Sequence, residues 1–399
     1  MSLFVVFDTC THARYYGDVH EVLALPQGAV IRYEYKRRLF KPDAAQAVEG
    51  LALTPSQLPM PVLLMYGEKN GFKQGSGDPA TMLTVADSVF VPTRSANLIA
   101  VAIDKGATSE DDVFYLHLEL RGFVDPDLPE VGQLIAALEG ANSLPFGVAG
   151  TQQTWVSLLP ASLFPHRDRL INDNPDLWSR IIDKLITLPT QFRNDVFWRV
   201  RSLSEEKNGA RSNGVKLVDR AGNQRVDPHK WLRDYPLLES NRYLVEVQTY
   251  STHDHGATVP GDSTVALTSM DDDQGLLKLS PDPLPIVPNQ VAEKRFSVTT
   301  DSALGTRYIG MRLETQVPNH TSQFAAGSMC TLTFSIRKER TRFILGVTLV
   351  LVSIGLGAYI GVAKPGVRWT VIDAIATALF LAVGAWLMNQ QFKIGGGGK

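Results

Sequence analysis

Three short tracts place nucleophiles, bases or metal ligands close together. Asp8-Thr9-Cys10-Thr11-His12 sets a thiol two residues from an imidazole. A thiol nucleophile needs a partnered base, and no cysteine-hydrolase signature surrounds Cys10, so a small buried core thiol accounts for it better. Thr252-His253-Asp254-His255-Gly256 would, as a strand, point both imidazoles to one side, where they could share a metal ion. A protein metal site needs a third or fourth ligand and none stands at useful spacing, so the expectation is a surface loop. His166-Arg167-Asp168 opens like a protein-kinase catalytic loop, but the position five after Asp168 is Asp173, and the asparagines fall at 172 and 174. No Gly-rich loop ahead of a strand lysine and no D-F-G accompany it, which leaves residues of a helix start.

Two further tracts bear on ligands rather than catalysis. The glycines at 67, 71, 75 and 77, with Lys69 and Lys73, do not make a phosphate-binding G-x-x-x-x-G-K-[ST] loop, and they read as a strand connection. Arg32, Tyr33, Tyr35, Lys36, Arg37 and Arg38 interleave cations with aromatics, as a strand that reads a nucleotide would. A solvated strand face with its tyrosines in the core explains the same pattern. Arg32, Tyr35, Lys36, Arg37 and Arg38 are the ligand-site candidates. No catalytic set, metal cluster or cofactor fingerprint emerges, and the expectation is a protein that is not an enzyme.

The elements that must carry these residues fall into four regions. Residues 1–125 read as a small β-barrel or sandwich: Leu3–Phe7, a hairpin of Glu21–Leu25 and Ala29–Leu39 around Gly28, then Pro61–Tyr66, Ser88–Pro92, Leu98–Ile103 and Val113–Leu120. Along Val30–Arg38 the residues alternate, with Ile31, Tyr33 and Tyr35 on one face. Residues 126–215 change period. Asn174-Pro175 starts a helix carrying Leu177, Trp178, Ile181, Ile182 and Leu185, and Phe192 to Val200 suggests a second. Residues 216–340 return to strands separated by Gly, Pro and Asp, the pattern of an immunoglobulin-like sandwich.

Residues 343–392 form the fourth region. From Phe343 to Ala363 no residue is charged, and as a helix this run covers roughly 30 Å, the thickness of a bilayer core. Lys364-Pro365-Gly366 breaks it, and a second apolar run extends from Trp369 to Met388, so the expectation is a transmembrane helical hairpin. Lys and Arg cluster outside both ends, which favours both termini in the cytoplasm. The opening residues do not read as a signal peptide, and two cysteines in 399 residues fit a reducing compartment. The expected location is therefore the inner membrane, multi-pass, with a cytoplasmic body. Gly357 and Gly361 in the first run, and Ala374, Ala378 and Ala382 in the second, recur every four residues and would let helices approach closely. The implied partners are a lipid bilayer, further copies of the chain and an unidentified protein or nucleotide trigger. A net charge of -2 gives no reason to expect duplex nucleic acid.

This layout, strand-rich body first and residues 343–392 as a hairpin, resembles the two-transmembrane effectors of bacterial abortive-infection (antiphage) systems. The resemblance implies a cytosolic sensor whose hairpins oligomerise on a trigger and disrupt the inner membrane. The alternative is a membrane-anchored scaffold that recruits a soluble complex.

Overall fold

A computed structural model describes residues 2–8, 13–69, 88–145, 154–160, 162, 170, 177–186, 196–207, 210–219, 233–251, 264–269, 277–279, 283–285, 292–300, 307–316, 329–337, 340–363 and 367–389. The first unit comprises β1 (Leu3–Asp8), α1 (Ala13–Ala24), β2 (Val30–Lys36), α2 (Pro42–Leu53), β3 (Met60–Lys69), β4 (Ser88–Asp104), β5 (Val113–Phe123), α3 (Pro129–Gly140) and β6 (Val156–Leu159). Its sheet has six strands in the order β2-β5-β4-β3-β1-β6. Strands β1 and β3 run parallel, and every other pair in this sheet is antiparallel. A parallel pair needs a crossover, and α1, β2 and α2 lie in the connection between them.

The first unit is therefore mixed α/β, where a small β-barrel or sandwich was expected. Glu21–Leu25 is the end of a helix, because Val19, Val22 and Leu23 fall at helical spacing on the buried side. Pro42 opens α2 at the first helical position, and Ala44, Ala45, Val48 and Leu51 form its buried stripe. Ser88–Pro92 and Leu98–Ile103 merge into one long strand, β4.

Helix α4 (Leu177–Ile186) follows, with Leu177, Trp178, Ile181, Ile182 and Leu185 buried. On its outer side Arg180 pairs with Asp125 and Asp127, and Lys184 with Asp127. The second unit holds β7 (Val196–Lys207), β8 (Ala210–Gly214), β9 (Val218–Asp219), β10 (Arg233–Leu238), β11 (Arg242–Ser251), β12 (Thr264–Ser269), β13 (Leu277–Leu279), β14 (Leu284–Pro285), β15 (Ala292–Thr300), β16 (Arg307–Gln316) and β17 (Met329–Arg337). One sheet has the order β14-β12-β16-β17-β10-β9 and the other β13-β15-β11-β7-β8. Residues expected as a second helix, up to Val200, instead begin β7, which pairs with β11.

The apolar core runs without a break from Phe4, Val6 and Leu64 of the first sheet to Val247, Phe296 and Phe334 of the second unit. At the seam Arg233 donates to Glu119 at 2.5 Å, to Asp219 at 3.0 Å and to the Gly28 carbonyl at 3.0 Å. Burial pushes the Glu119 carboxyl up, but hydrogen bonds from Arg233 and Asn97 outweigh it and leave the group below its ordinary value.

The chain ends in α5 (Arg340–Ala363) and α6 (Val367–Asn389), which pack on each other. Ser353 donates to the Thr377 carbonyl at 3.0 Å. A Cβ at Gly384 would stand 3.0 Å from the Gly346 carbonyl, so glycine lets the helices cross there. Among the described residues, no helix is long and apolar enough to cross a membrane. That finding overturns the expected transmembrane hairpin and the multi-pass inner-membrane location with a cytoplasmic body.

His20 lies on the buried side of α1, its ring 5.9 Å from that of Phe197. Burial pushes the imidazole down to about 3, so it stays neutral in the fold while the unfolded chain takes up a proton below pH ~6.5. Its contribution is complete above pH ~6.5 and is lost as acid carries the solution down toward pH ~3. Thermal melts from pH ~7.5 to ~5 are expected to show a falling Tm, and His20→Gln is expected to flatten that slope.

Candidate functional site

Where the end of α1 meets β4, β5 and β7, four arginines line a cavity of about 130 Å³: Arg94, Arg121, Arg199 and Arg201. The other described lining residues are Leu25, Pro26, Gln27, Gly122, Phe123 and Val200, so among the described residues no carboxylate, imidazole, thiol or hydroxyl side chain joins them.

Strand irregularities present three of the four arginines. Pairing of β3 with β4 passes from Leu64↔Arg94 to Met65↔Pro92, leaving Thr93 as an extra residue. Proline cannot donate to a ladder, and a bulge beside Pro92 is where a strand tolerates one. Pairing of β4 with β5 passes from Arg94↔Phe123 to Ala96↔Leu120, so Arg121 and Gly122 stand opposite Ser95 alone. Pairing of β7 with β11 slips between Ser202↔Glu246 and Val200↔Val247, which makes Arg201 the extra residue. Bulges bend a strand and re-aim its side chains, and they recur next to functional sites. Hydroxyls occupy the freed carbonyls: Thr93 donates to Leu64 at 3.1 Å, and Ser95 to Gly122 at 3.0 Å.

Arg94 is only 1% exposed. It donates to the carbonyls of Val22 at 2.9 Å, Leu25 at 2.6 Å and Arg121 at 2.7 Å. Val22 belongs to the last turn of α1 and Leu25 follows its end, where helix carbonyls lack partners and the dipole favours a cation. Its guanidinium also lies 4.5 Å from the centre of the Phe123 ring. Burial pushes its pKa down to about 9, and the like charge of Arg199 adds to the shift. The group still carries its proton at neutral pH.

Arg199 is 7% exposed and lies over two rings, 4.9 Å from Trp178 and 5.5 Å from Phe123. Its Nε donates to Gln248 at 2.7 Å. Arg121 is half-buried and Arg201 exposed, so the cavity grades from a buried cation to an exposed one. Several guanidiniums around one small space repel each other, and an anion with several acceptor oxygens relieves that repulsion while accepting their N–H groups. None of the described lining groups suits proton transfer near neutral pH.

A larger groove of about 600 Å³ lies between the end of α2, Leu58-Pro59 and Ile99–Val101 of β4. Its charged lining residues, Asp219 and Arg233, pair with each other, so it lacks the concentrated charge of the arginine cavity.

The residues picked from sequence do not converge. Tyr35 is buried and donates to the Phe7 carbonyl at 3.2 Å, on the opposite face of β2 from Arg32 and Lys36. Arg32 lies over the Tyr115 ring, Lys36 pairs with Asp111, Arg37 pairs with Glu49 at 2.9 Å, and Arg38 is exposed. Of the Cys10 tract, Asp8 is described and accepts from Tyr33 at 2.6 Å, while Cys10 and His12 lie outside the described residues. So do His253 and His255, Lys73 with glycines 71, 75 and 77, and all of 166–174 except the buried Leu170. In the hairpin Gly357, Ala374, Ala378 and Ala382 are exposed, and the placement of Gly361 lies outside the described side chains.

No family model matches the chain, and no curated protein matches it. Among solved structures, the secreted serine protease VesC from Vibrio cholerae is 10% identical over 68% of this chain, with a TM-score of 0.18. The match spans 65% of the length of that protein, and a likeness so low carries no argument about fold or activity. Nothing in these comparisons bears on the resemblance to antiphage effectors.

Arg94→Met is expected to strand three buried carbonyls and destabilise the chain by about 2–4 kcal/mol. Arg94→Lys is expected to recover only a small part of this, because an ammonium cannot reproduce the planar fork. Urea denaturation midpoints of the three proteins check both statements.

Proposed function

We propose that the chain is a non-catalytic recognition protein whose β-rich body binds a phosphate-class anion in the arginine cavity. The observation that carries this reading is the set of four arginines lining one cavity with no carboxylate among its described lining residues. A space of about 130 Å³ suits one tetrahedral oxyanion with water, since each water takes roughly 30 Å³ in the liquid. A whole nucleotide would leave its base and sugar outside, beyond exposed Arg201. The trigger in this reading is a phosphate-bearing small molecule, and the protein contributes binding rather than bond-making. The effector resemblance depended on membrane spans and lends this reading no support.

Melting the full chain in chloride, phosphate, pyrophosphate and adenosine monophosphate, at matched ionic strength, tests the proposal. An oxyanion at 100 times its Kd is expected to add about 2.7 kcal/mol, a Tm rise of several degrees. A rise with inorganic phosphate assigns the site to the phosphate group alone, whereas a rise only with adenosine monophosphate assigns it to a nucleotide. Arg199→Gln is expected to weaken binding about tenfold or more, the worth of one charge-assisted hydrogen bond. Equal Tm values in chloride and in every phosphate compound would overturn the assignment.

A further inference from the structure

Beyond that site, the larger groove runs along a strand edge that no described strand covers. Pairing of β3 with β4 starts at Met60↔Leu98, whereas β4 continues beside β5 as far as Asp104↔Val113. Residues 99–104 therefore have β5 on one side and, among the described residues, no strand on the other. Along an open edge, every second residue leaves its N–H and C=O without a ladder partner. Proteins block such edges with proline or charged side chains. Here the edge reads Ile99-Ala100-Val101-Ala102-Ile103, five apolar residues with no proline and no charge.

The space beside this edge has the dimensions of an added strand. Leu51, Leu58 and Pro59 wall it opposite Ile99–Val101, at a volume of about 600 Å³. A strand residue fills roughly 160 Å³, from a ~3.3 Å rise, ~4.8 Å between strands and ~10 Å between sheets. The groove thus holds about four residues of an extended chain. Its apolar walls suit a segment that is apolar at alternate positions, because a strand turns every second side chain to one face. At its polar end Arg233 already serves two carboxylates, Glu119 and Asp219, so the charge left to attract a partner there is negative. A basic residue at that end complements Asp219. We infer that the β4 edge at 99–104 docks an extended peptide of a partner protein, apolar at alternate positions and carrying a lysine or arginine. The peptide joins the first sheet as a strand, with main-chain hydrogen bonds giving affinity and the groove giving selectivity.

Fluorescence anisotropy tests this, with a labelled, blocked hexapeptide of alternating valine and lysine titrated with the full chain. Saturable binding is expected, with amide exchange at 99–104 slowed in the complex. A twin peptide with proline at its two central positions keeps charge but cannot complete the ladder, and should bind at least about tenfold more weakly. A twin with glutamate in place of lysine should also bind more weakly, and Asp219→Asn should narrow that difference. Ile99→Lys, at a half-buried position beside the groove, should abolish binding of the valine–lysine peptide while circular dichroism stays unchanged. No binding of that peptide, or equal binding of its proline twin, would overturn the inference. Slow exchange at 99–104 in the free chain would overturn it too, by giving the edge to the chain itself. A dimer of the free protein that Ile99→Lys dissociates would give the edge to a second copy, with the same consequence. The arginine cavity takes no part in these readouts, so this inference and the anion site stand or fall separately.

Discussion

The end of α1 has carbonyls with no partner in their own helix, and a single buried guanidinium satisfies them. Arg94 reaches from β4 to Val22 and Leu25, and on to Arg121 of β5, so one side chain ties a helix to two strands. The arrangement places a cation 1% exposed where its hydrogen bonds go to main-chain carbonyls. Dipoles can hold such a charge, but they do not neutralise it. Arg199, held flat by Trp178 and Phe123, adds a second cation whose like charge acts on Arg94. The fold needs Arg94 for the end of α1, so that cation stays beside the cavity.

The seam between the two units serves the same end. Arg199 and Arg201 come from β7 of the second unit, Arg94 and Arg121 from the first sheet, so the cavity exists only while the units are docked. Arg233 holds that docking through Glu119 and the Gly28 carbonyl, and Gly28 follows the Pro26-Gln27 segment that lines the cavity. Gly28 has a φ of 87°, a conformation that favours glycine, and its N–H donates to the Leu120 carbonyl at 2.8 Å.

Much of the architecture is legible in the chain. Alternation from Val30 to Lys36 shows in the burial of β2, and the apolar spacing of 177–185 gives α4 its buried face. The strand-rich second unit also appears where Gly, Pro and Asp punctuate short apolar runs. Other elements were hidden by competing signals. Glu21–Leu25 is short and apolar enough to pass for a strand, and only Val19 upstream reveals the helical period. Phe197-Trp198-Arg199-Val200-Arg201 alternates cation with apolar residue, a strand signal, yet its overlap with apolar residues at 192 and 196 mimics a helix. The hairpin shows how far composition alone can lead: its apolar runs are real helices, but no described one is long and apolar enough to cross a membrane.

The arginine cavity was the least legible part, because its four cations stand at positions 94, 121, 199 and 201, far apart in sequence. Clustered charge at 32–38 is the stronger local signal, and the fold disperses it into separate pairs with Tyr115, Asp111 and Glu49. The one local hint was Pro92 inside an otherwise regular strand, which signals a bulge two residues ahead of Arg94. The most direct measurement is anomalous diffraction from a crystal of the full chain soaked in selenate, a tetrahedral oxyanion with a strong absorber. A selenium peak inside the cavity, within hydrogen-bond reach of Arg199 and Arg201, is the result this account requires. Selenium confined to surface lysines, with the cavity holding only water, would contradict it.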